Sequence, residues 1–440
     1  MVRAFRFRFR FDRLVIGLFV LLGLSGAAFA GSYLVYPGEG LTTASLSEAA
    51  AEGGALEGRV TREMPLSGAL VAELSEEEAA GLSPRFSLVP ADLPLYPAAD
   101  PLVDADGHGT AVTGIVVGDR TGVCPYVEVV PVKVADDDGG TSTLWIQDAL
   151  EHVISLAKGD LKGKKIIVNF SYSTTGNLTA PDSQYATFFA NLYKSLASYN
   201  IFFVSAAGNS GLNLSAGYYA YPASVSASNE VTASAYRQSG SSVALDKTMN
   251  YGYDVVETAA PGTAVVTTNT LGGYTYMDGT SFAAPYVTGI AAYLWANQPG
   301  LTPTGVKEAL LAMSTGRPAM DVIAGGPLSP ELLMDPLPSG ATSIPAAYTP
   351  HASAWQLDNV AVLRDYPDAF DFSDVVVVVW DTGVAADHPD LTAHLRTALA
   401  HDATAASASS SDGGGGGCSL GFAPASLLLV IPALLAAGRR

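Results

Sequence analysis

The chain has 440 residues, 48% hydrophobic and 15% charged, which is ample material for a large core and excludes a disordered or coiled-coil chain. Lys and Arg number 23 against 42 Asp and Glu, so binding nucleic acid by neutralising phosphates is not expected. Two cysteines exclude a disulfide-stapled scaffold and a Cys-rich metal centre.

Residues 1–13 carry five Arg, residues 14–24 are apolar, and Ala28-Phe29-Ala30 puts small residues at the −3 and −1 positions of a cut after Ala30. That three-part pattern predicts a secretory signal peptide over 1–30, with an uncleaved anchor as the competing reading; both export the body. Without residues 1–30 and the final Arg pair, the chain holds 16 basic and 41 acidic side chains. Residues 68–73 read as a strand. Ser75-Glu76-Glu77-Glu78 is a capping box opening a helix that reaches Leu82, and residues 86–89 read as a second strand. This is a small α+β unit, and Pro-rich residues 90–101 read as a linker.

Asp106-Gly107-His108-Gly109-Thr110 precedes the apolar helical stretch 111–117. Flanking glycines pin the backbone and leave the imidazole free. The positive end of a helix is expected to depress the His pKa and keep the base neutral. Residues 127–134 read as a strand, 143–156 as a helix, 165–170 as a strand, 185–198 as a helix and 201–206 as a strand. Short apolar strands between helices indicate parallel strands buried on both faces, hence a doubly wound α/β fold with a mostly parallel central sheet. Active sites of such sheets lie beyond the carboxyl ends of the strands.

The strand over 201–206 runs into Ala206-Ala207-Gly208-Asn209, where an Asn side chain can donate to a developing oxyanion. Gly279-Thr280-Ser281-Phe282-Ala283-Ala284-Pro285 leads into an apolar helix over 286–295; a Ser there is either an N-cap or a nucleophile. Residues 316–350 are rich in Pro and Gly and read as a second linker. Five valines, 375–379, lead to Trp380-Asp381-Thr382-Gly383, which predicts a central strand with a carboxylate at its end. A lone Asp-Thr-Gly also fits an aspartic protease, but that chemistry needs a second copy and the chain has none.

Residues 403–411 are Ala, Ser and Thr; glycines 413–417 precede Cys418, and an apolar stretch then runs to the terminal Arg pair. This predicts a transmembrane tail over 418–440, with a Gly/Cys element resembling bacterial envelope sorting tails, where a sorting protease cuts; a permanent anchor is the competing reading. Cys124 reads as a buried small residue, His152 and His388 as structural, and Trp145, Trp295, Trp355 and Trp380 as core or cleft packing. Asp136 to Asp138 read as a solvated turn; calcium there is not assignable. The predicted division is thus 1–30, 31–100, 101–315, 316–350, 351–401, 402–417 and 418–440.

Taken together, the His108, Asn209, Ser281 and Asp381 motifs resemble those of the subtilisin-like serine proteases (subtilases). The resemblance also takes in Asn169-Phe170-Ser171 and Tyr221-Pro222-Ala223, spans roughly 101–315 and 351–392, and is weaker over 68–89, which looks like part of the family's inhibitory propeptide. It implies an exported serine endopeptidase acting on protein or peptide substrates, with Ser281, His108 and Asp381 as triad, Asn209 in the oxyanion hole, and no cofactor or metal needed. It further implies that the edges at Gly139-Gly140-Thr141 and Ser171-Tyr172-Ser173 pair with an extended substrate. The family order is Asp, His, Asn, Ser, whereas here Asp381 comes last, which resembles a circular permutation. The late strand then arrives from the same chain or from a neighbour. Tyr172-Ser173 stands where the family usually has Leu-Gly, which is expected to narrow the substrate range. The competing function is an inactive permuted subtilase that binds peptides at a surface.

Overall fold

The computed structural model describes residues 31–38, 40–51, 54–91, 100–174, 178–239, 242–313, 322, 327–328, 350–358 and 360–404. The predicted signal peptide, nearly all of both predicted linkers and the C-terminal tail lie outside the described residues.

The first unit contains β1 (Gly31–Pro37), α1 (Thr43–Ala50), β2 (Val60–Met64), β3 (Ala69–Leu74), α2 (Glu76–Leu82) and β4 (Phe86–Pro90). The strands form an antiparallel sheet in the order β2-β3-β1-β4. Side chains of a strand alternate between faces, and both faces here are covered. Val35, Leu70, Ala72 and Leu74 pack with Leu46 and Leu82 of the unit's own helices. Leu34, Tyr36, Ala69 and Val71 join a core shared with the rest of the chain. The expected capping box is present: Glu78 N donates to Ser75 Oγ (3.2 Å) and Ser75 N to Glu78 Oε2 (2.8 Å).

After it come α3 (His108–Val117), β5 (Glu128–Lys133), α4 (Thr143–Lys158), β6 (Lys165–Phe170), α5 (Ser183–Ala197) and β7 (Phe202–Ala206). Next are β8 (Glu230–Ser239), β9 (Ser242–Leu245), β10 (Thr258–Pro261), β11 (Val265–Thr268), β12 (Tyr274–Met277), α6 (Thr280–Asn297) and α7 (Pro303–Ala312). The last are α8 (Ala361–Asp365), β13 (Val375–Asp381) and β14 (His401–Asp402). The main sheet runs β10-β8-β7-β6-β13-β5-β14, parallel throughout, with β9 antiparallel on β8. Its two faces carry separate cores. Residues of α3 and α6 fill one, and residues of α4 and α5 fill the other.

The valine strand is central, as its composition predicts. It sits between β5 and β6, with Val377 beside Val129 on one side and Ile167 on the other. Val375, Val377 and Val379 face the α3/α6 core, while Val376, Val378 and Trp380 face the α4/α5 core. An unbroken apolar run is what a strand buried on both faces needs. The strand therefore docks within its own chain.

Two boundaries differ from expectation in a way that matters for the site. His108 is the first residue of α3, and Ser281 lies in the first turn of α6; the sequence placed each just ahead of its helix. Strands β8 to β12 were not foreseen. Among the described residues no helix is long and apolar enough to cross a membrane.

Candidate active site

Three parallel strands end on one side of the sheet and supply or support the candidate residues. Asp381 closes β13, Asn209 follows β7, and Ser171 follows β6. His108 and Ser281 enter from the first turns of α3 and α6. Gly107 caps α3 with φ +94°, a left-handed conformation that favours glycine. A Cβ on Gly109 would lie 2.1 Å from the Gly383 carbonyl oxygen and 3.0 Å from Asp381 Cβ, so only glycine lets α3 approach β13 this closely.

That approach brings His108 Nδ1 to 2.7 Å from Asp381 Oδ1, which also accepts from Thr382 N at 2.9 Å. Both residues are buried, at 3% and 1% exposure. Nε2 of His108 and Oδ2 of Asp381 are buried without a hydrogen-bond partner among the described residues. The expected depression of the His108 pKa is overturned. Burial does pull it down, but Asp381, by charge and hydrogen bond, together with Asp106 and Asp104, lifts it above the ordinary imidazole value. The short-range field of three carboxylates outweighs the cost of burial. Burial in turn raises Asp106, against the opposing pull of His108.

Ser281 Oγ donates to the Ser171 carbonyl at 3.0 Å, and Ser171 Oγ donates to the Ser281 carbonyl at 2.8 Å. Pro285 explains the second bond. It has no N–H, so the carbonyl four residues earlier, that of Ser281, has no helical partner. The Ser171 hydroxyl takes its place. Asn169 Nδ2 donates to Ser171 Oγ at 2.9 Å, and Thr288 Oγ1 donates to Asn169 Oδ1 at 2.9 Å. Sequence reading takes in Asn169 only as part of the Asn169-Phe170-Ser171 string, and it misses Thr288 and Asp104. Their residue types are ordinary, and only the fold brings them together.

Asn209 Oδ1 accepts from Thr280 N and from Thr280 Oγ1, both at 2.9 Å. This fixes the amide with Nδ2 as the remaining donor, beside Gly279, whose added Cβ would lie 3.4 Å from it. The adjacent α6 N-terminus adds a positive pole. The Ser281 hydroxyl, the His108 imidazole with its Asp381 partner and the exposed Asn209 amide thus stand where β6, β7 and β13 end and α3 and α6 begin.

The expected cleft residues are placed as follows. Tyr172 is buried, stacks on Phe170 (5.4 Å) and meets the His108 ring edge-on (5.7 Å), and its hydroxyl has no partner among the described residues. Ser173 Oγ lies 3.5 Å from the Ala207 carbonyl oxygen, near the β7 end. Gly140 N donates to Asp136 Oδ1 (2.8 Å) and the Gly140 carbonyl accepts from Asp136 N (2.9 Å), so both groups are used inside the turn. Gly139 N donates to the Asp136 carbonyl at 3.2 Å, and Thr141 bridges to Ala135. No hydrogen bond or ring contact among the described residues joins Gly139, Gly140 or Thr141 to His108, Ser281 or Asp381. Asp137 pairs with Lys133 at 3.1 Å, and among the described residues no group of three or more His, Cys, Asp and Glu could hold a metal ion.

Of the other residues singled out, Cys124 is buried, and burial pushes its thiol up. His152 stacks on His401 at 4.3 Å, and His388 Nε2 lies 3.0 Å from the Gly273 carbonyl oxygen. Trp145, Trp295 and Trp380 are buried, and Trp355 Nε1 donates to the Ala264 carbonyl at 2.9 Å.

Comparison with known proteins gives a single answer. The model of the peptidase S8 subtilase family matches residues 95–325, a span that includes His108, Asn209 and Ser281 and stops short of Asp381. Subtilisin DY of Bacillus licheniformis is 31% identical over 227 residues, covering 48% of this chain and 72% of that protein. Subtilisin-like protease 7 of Arthroderma gypseum is 33% identical over 192 residues, covering 44% of this chain and only 43% of that protein. The epidermin leader peptide processing serine protease of Staphylococcus aureus shares the fold, with a TM-score of 0.51 at 16% identity over 71% of this chain and 100% of that one.

Proposed function

This chain belongs to the subtilase family, and on that premise we propose that it is a serine endopeptidase with Ser281 as nucleophile, His108 as general base and acid, Asp381 as orienting carboxylate and Asn209 as oxyanion donor. The observation that carries the reading is the 2.7 Å contact between His108 Nδ1 and Asp381 Oδ1, made across 273 residues of chain.

In this reading Ser281 Oγ leaves the Ser171 carbonyl by rotating about its Cα–Cβ bond and bonds to Nε2 of His108, the nitrogen with no other partner. It attacks the carbonyl of a peptide substrate while the imidazole takes its proton. Asp381 holds the ring with Nε2 as acceptor and stabilises the imidazolium. Asn209 Nδ2 and the Ser281 backbone N–H, at the α6 N-terminus, stabilise the tetrahedral oxyanion. His108 then protonates the leaving amine, and a water repeats the sequence on the acyl-enzyme. Side chains and backbone supply every charge in these steps, so the proposal invokes no cofactor or metal.

The proposal extends to substrate pairing along 139–141 and 171–173 and to export directed by residues 1–30. It also includes membrane tethering or sorting through 418–440. Relative to the family's chain order, the Asp-bearing segment is permuted to the end. Its docking between β5 and β6 supports an intact site against the reading of an inactive peptide-binding surface protein.

A fluorophosphonate probe tests the enzyme. We expect it to label Ser281 in the secreted protein, to fail after heat denaturation, and to fail in Ser281→Ala, whose peptide hydrolysis should fall about 10⁶-fold. Secreted, folded wild type that takes no label would refute the proposal, and so would Ser281→Ala with undiminished hydrolysis.

A further inference from the structure

Asp104 has no part in the steps above, yet it is buried next to both residues of the His–Asp pair. Its Oδ1 accepts from Gly107 N (2.8 Å) and Thr382 Oγ1 (2.7 Å). Its Oδ2 accepts from Thr110 N (2.7 Å) and Thr110 Oγ1 (2.6 Å). Gly107 and Thr110 flank His108, while Thr382 directly follows Asp381. One carboxylate therefore ties the turn that carries the imidazole to the strand end that carries its acid.

Thr382 is held on its other sides as well. Its Oγ1 accepts from Gly109 N at 2.9 Å, and its carbonyl accepts from the buried ammonium of Lys133. Ala385 N donates to Thr110 Oγ1 at 2.9 Å, closing a second link between the same two segments. Nothing covalent near the site joins these segments, because Asp104 and Thr382 are 278 positions apart. In a chain with this order, the register of Asp381 against His108 rests on such cross-links and on strand pairing.

We propose that Asp104 and Thr382 form a clasp that positions the triad: the Asp104 carboxylate sets Asp381 against His108 and adds its own negative charge to the field at the imidazole. The inference rests on the enzyme reading for its effect on turnover. An angstrom of misplacement in such a site costs about 10²-fold in rate. A buried carboxylate with four donors is a rigid support, whereas an amide at the same place faces donors with an N–H₂ group of its own. The charged and titratable groups facing the His108 ring are Asp381 from β13, Asp106 and Asp104 from the segment before α3, and Tyr172 from the segment after β6.

The test uses the full chain with Asp104→Asn, Thr382→Val and Thr382→Ser. Two readouts are taken: kcat and KM on a peptide substrate, and the titration of the His108 ring by NMR with ¹³C-labelled histidine. We expect Asp104→Asn to lower kcat about 10- to 100-fold with KM changed less than about threefold, and to move the His108 midpoint to lower pH. Thr382→Val keeps the Asp104 charge and should lower kcat by breaking the link alone; Thr382→Ser should recover most of that loss. The clasp is overturned if Asp104→Asn and Thr382→Val keep wild-type kcat and His108 midpoint. It is equally overturned if activity falls only in proportion to the loss of folded protein while the midpoint stays fixed. Wild type that hydrolyses no peptide sinks the enzyme reading instead, and in that protein the His108 titration still decides whether Asp104 acts on the imidazole.

Discussion

Pro285 costs α6 a backbone hydrogen bond in its first turns, and the structure offsets the loss with the Ser171 hydroxyl. The bond lost to helix geometry thereby becomes a strut between the Ser281 backbone and the end of β6. Asn209 shows the same economy, since its carbonyl end is anchored on Thr280 and only its N–H₂ end is left to serve a ligand. Asn209→Ala should therefore lower kcat about 10²–10³-fold with little change in KM, because the donor meets negative charge only after attack. Steady-state kinetics would show a KM effect of equal size if the side chain bound the ground state instead. A second residue-scale case lies away from the site. Glu230 is fully buried and accepts from Ser205 Oγ (3.0 Å) and Thr232 Oγ1 (2.6 Å), while its neighbour Glu257 takes the Lys307 ammonium at 2.8 Å. Burial first, and then Glu257, hold the Glu230 carboxyl well above the usual carboxylate range. A raised folded pKa gives stability that is complete below the unfolded value and is lost as pH rises toward the folded one. Glu230→Gln should thus match wild type in Tm near pH 4 and exceed it near pH 8. Equal Tm values at pH 8 would mean that Glu230 carries no such burden.

At the scale of elements, β13 depends on side chains that fill both cores at once. Trp380 is fully buried and meets Phe170 (6.2 Å) and Phe203 (5.8 Å) edge-on. Trp380→Ala should destabilise the fold by about 3–5 kcal/mol, read by urea unfolding, and should lower activity through the adjacent Asp381. A loss below about 1 kcal/mol would show that the strand end is not held by this packing. The legibility of the sequence divides along the same line. Strands β5, β6, β7 and β13 each hold an apolar run of three residues or more, which a sheet covered on both faces accommodates, so the sequence reveals them. Strand β8, with Thr232 and Ser234 buried in it, has no such signature. Its polar groups are satisfied by Glu230, two residues earlier in the same strand, and by the Asn250 carbonyl from outside it. The motifs around His108, Asn209, Ser281 and Asp381 stand out in the sequence because glycines and small residues crowd around them. The side-chain roles of Asp104, Asn169 and Thr288 do not, because each is tied into the site by a partner far along the chain: Thr382 lies 278 positions from Asp104, and Thr288 lies 119 from Asn169. The His108 pKa was misjudged for a related reason: the helix terminus is local and visible in sequence, whereas the charge of Asp381 arrives through the fold.

On the scale of the whole molecule, a compact polar lattice ties the N-terminal unit to α4. Tyr36 OH donates to Gln147 Oε1 and Gln147 Nε2 donates to Ser67 Oγ, both at 2.6 Å. Leu66 N and Ser67 N donate to the two oxygens of Glu151 at 3.0 and 2.7 Å, and Arg62 pairs with Asp148. The same Asp148 also holds His401 Nε2 at 2.7 Å, so the unit at one end of the chain and the last described strand share one carboxylate. His152, one turn further along α4, stacks on His401 and is pushed down to about 4, by burial first and by His401 second. A depressed folded pKa gives stability that is complete above the unfolded value near 6.5 and is lost as pH falls toward 4. The cost in that window is at most about 1.4 kcal/mol per pH unit, and less where water screens the ring. Acid should therefore loosen α4 where it holds the N-terminal unit and β14. His152→Gln should flatten the fall in Tm between pH 6.5 and 4 while leaving Tm at pH 8 nearly unchanged. Differential scanning calorimetry across that range decides the matter: a variant whose Tm falls as steeply as that of wild type would show that the imidazole pair does not govern the acid response of this seat.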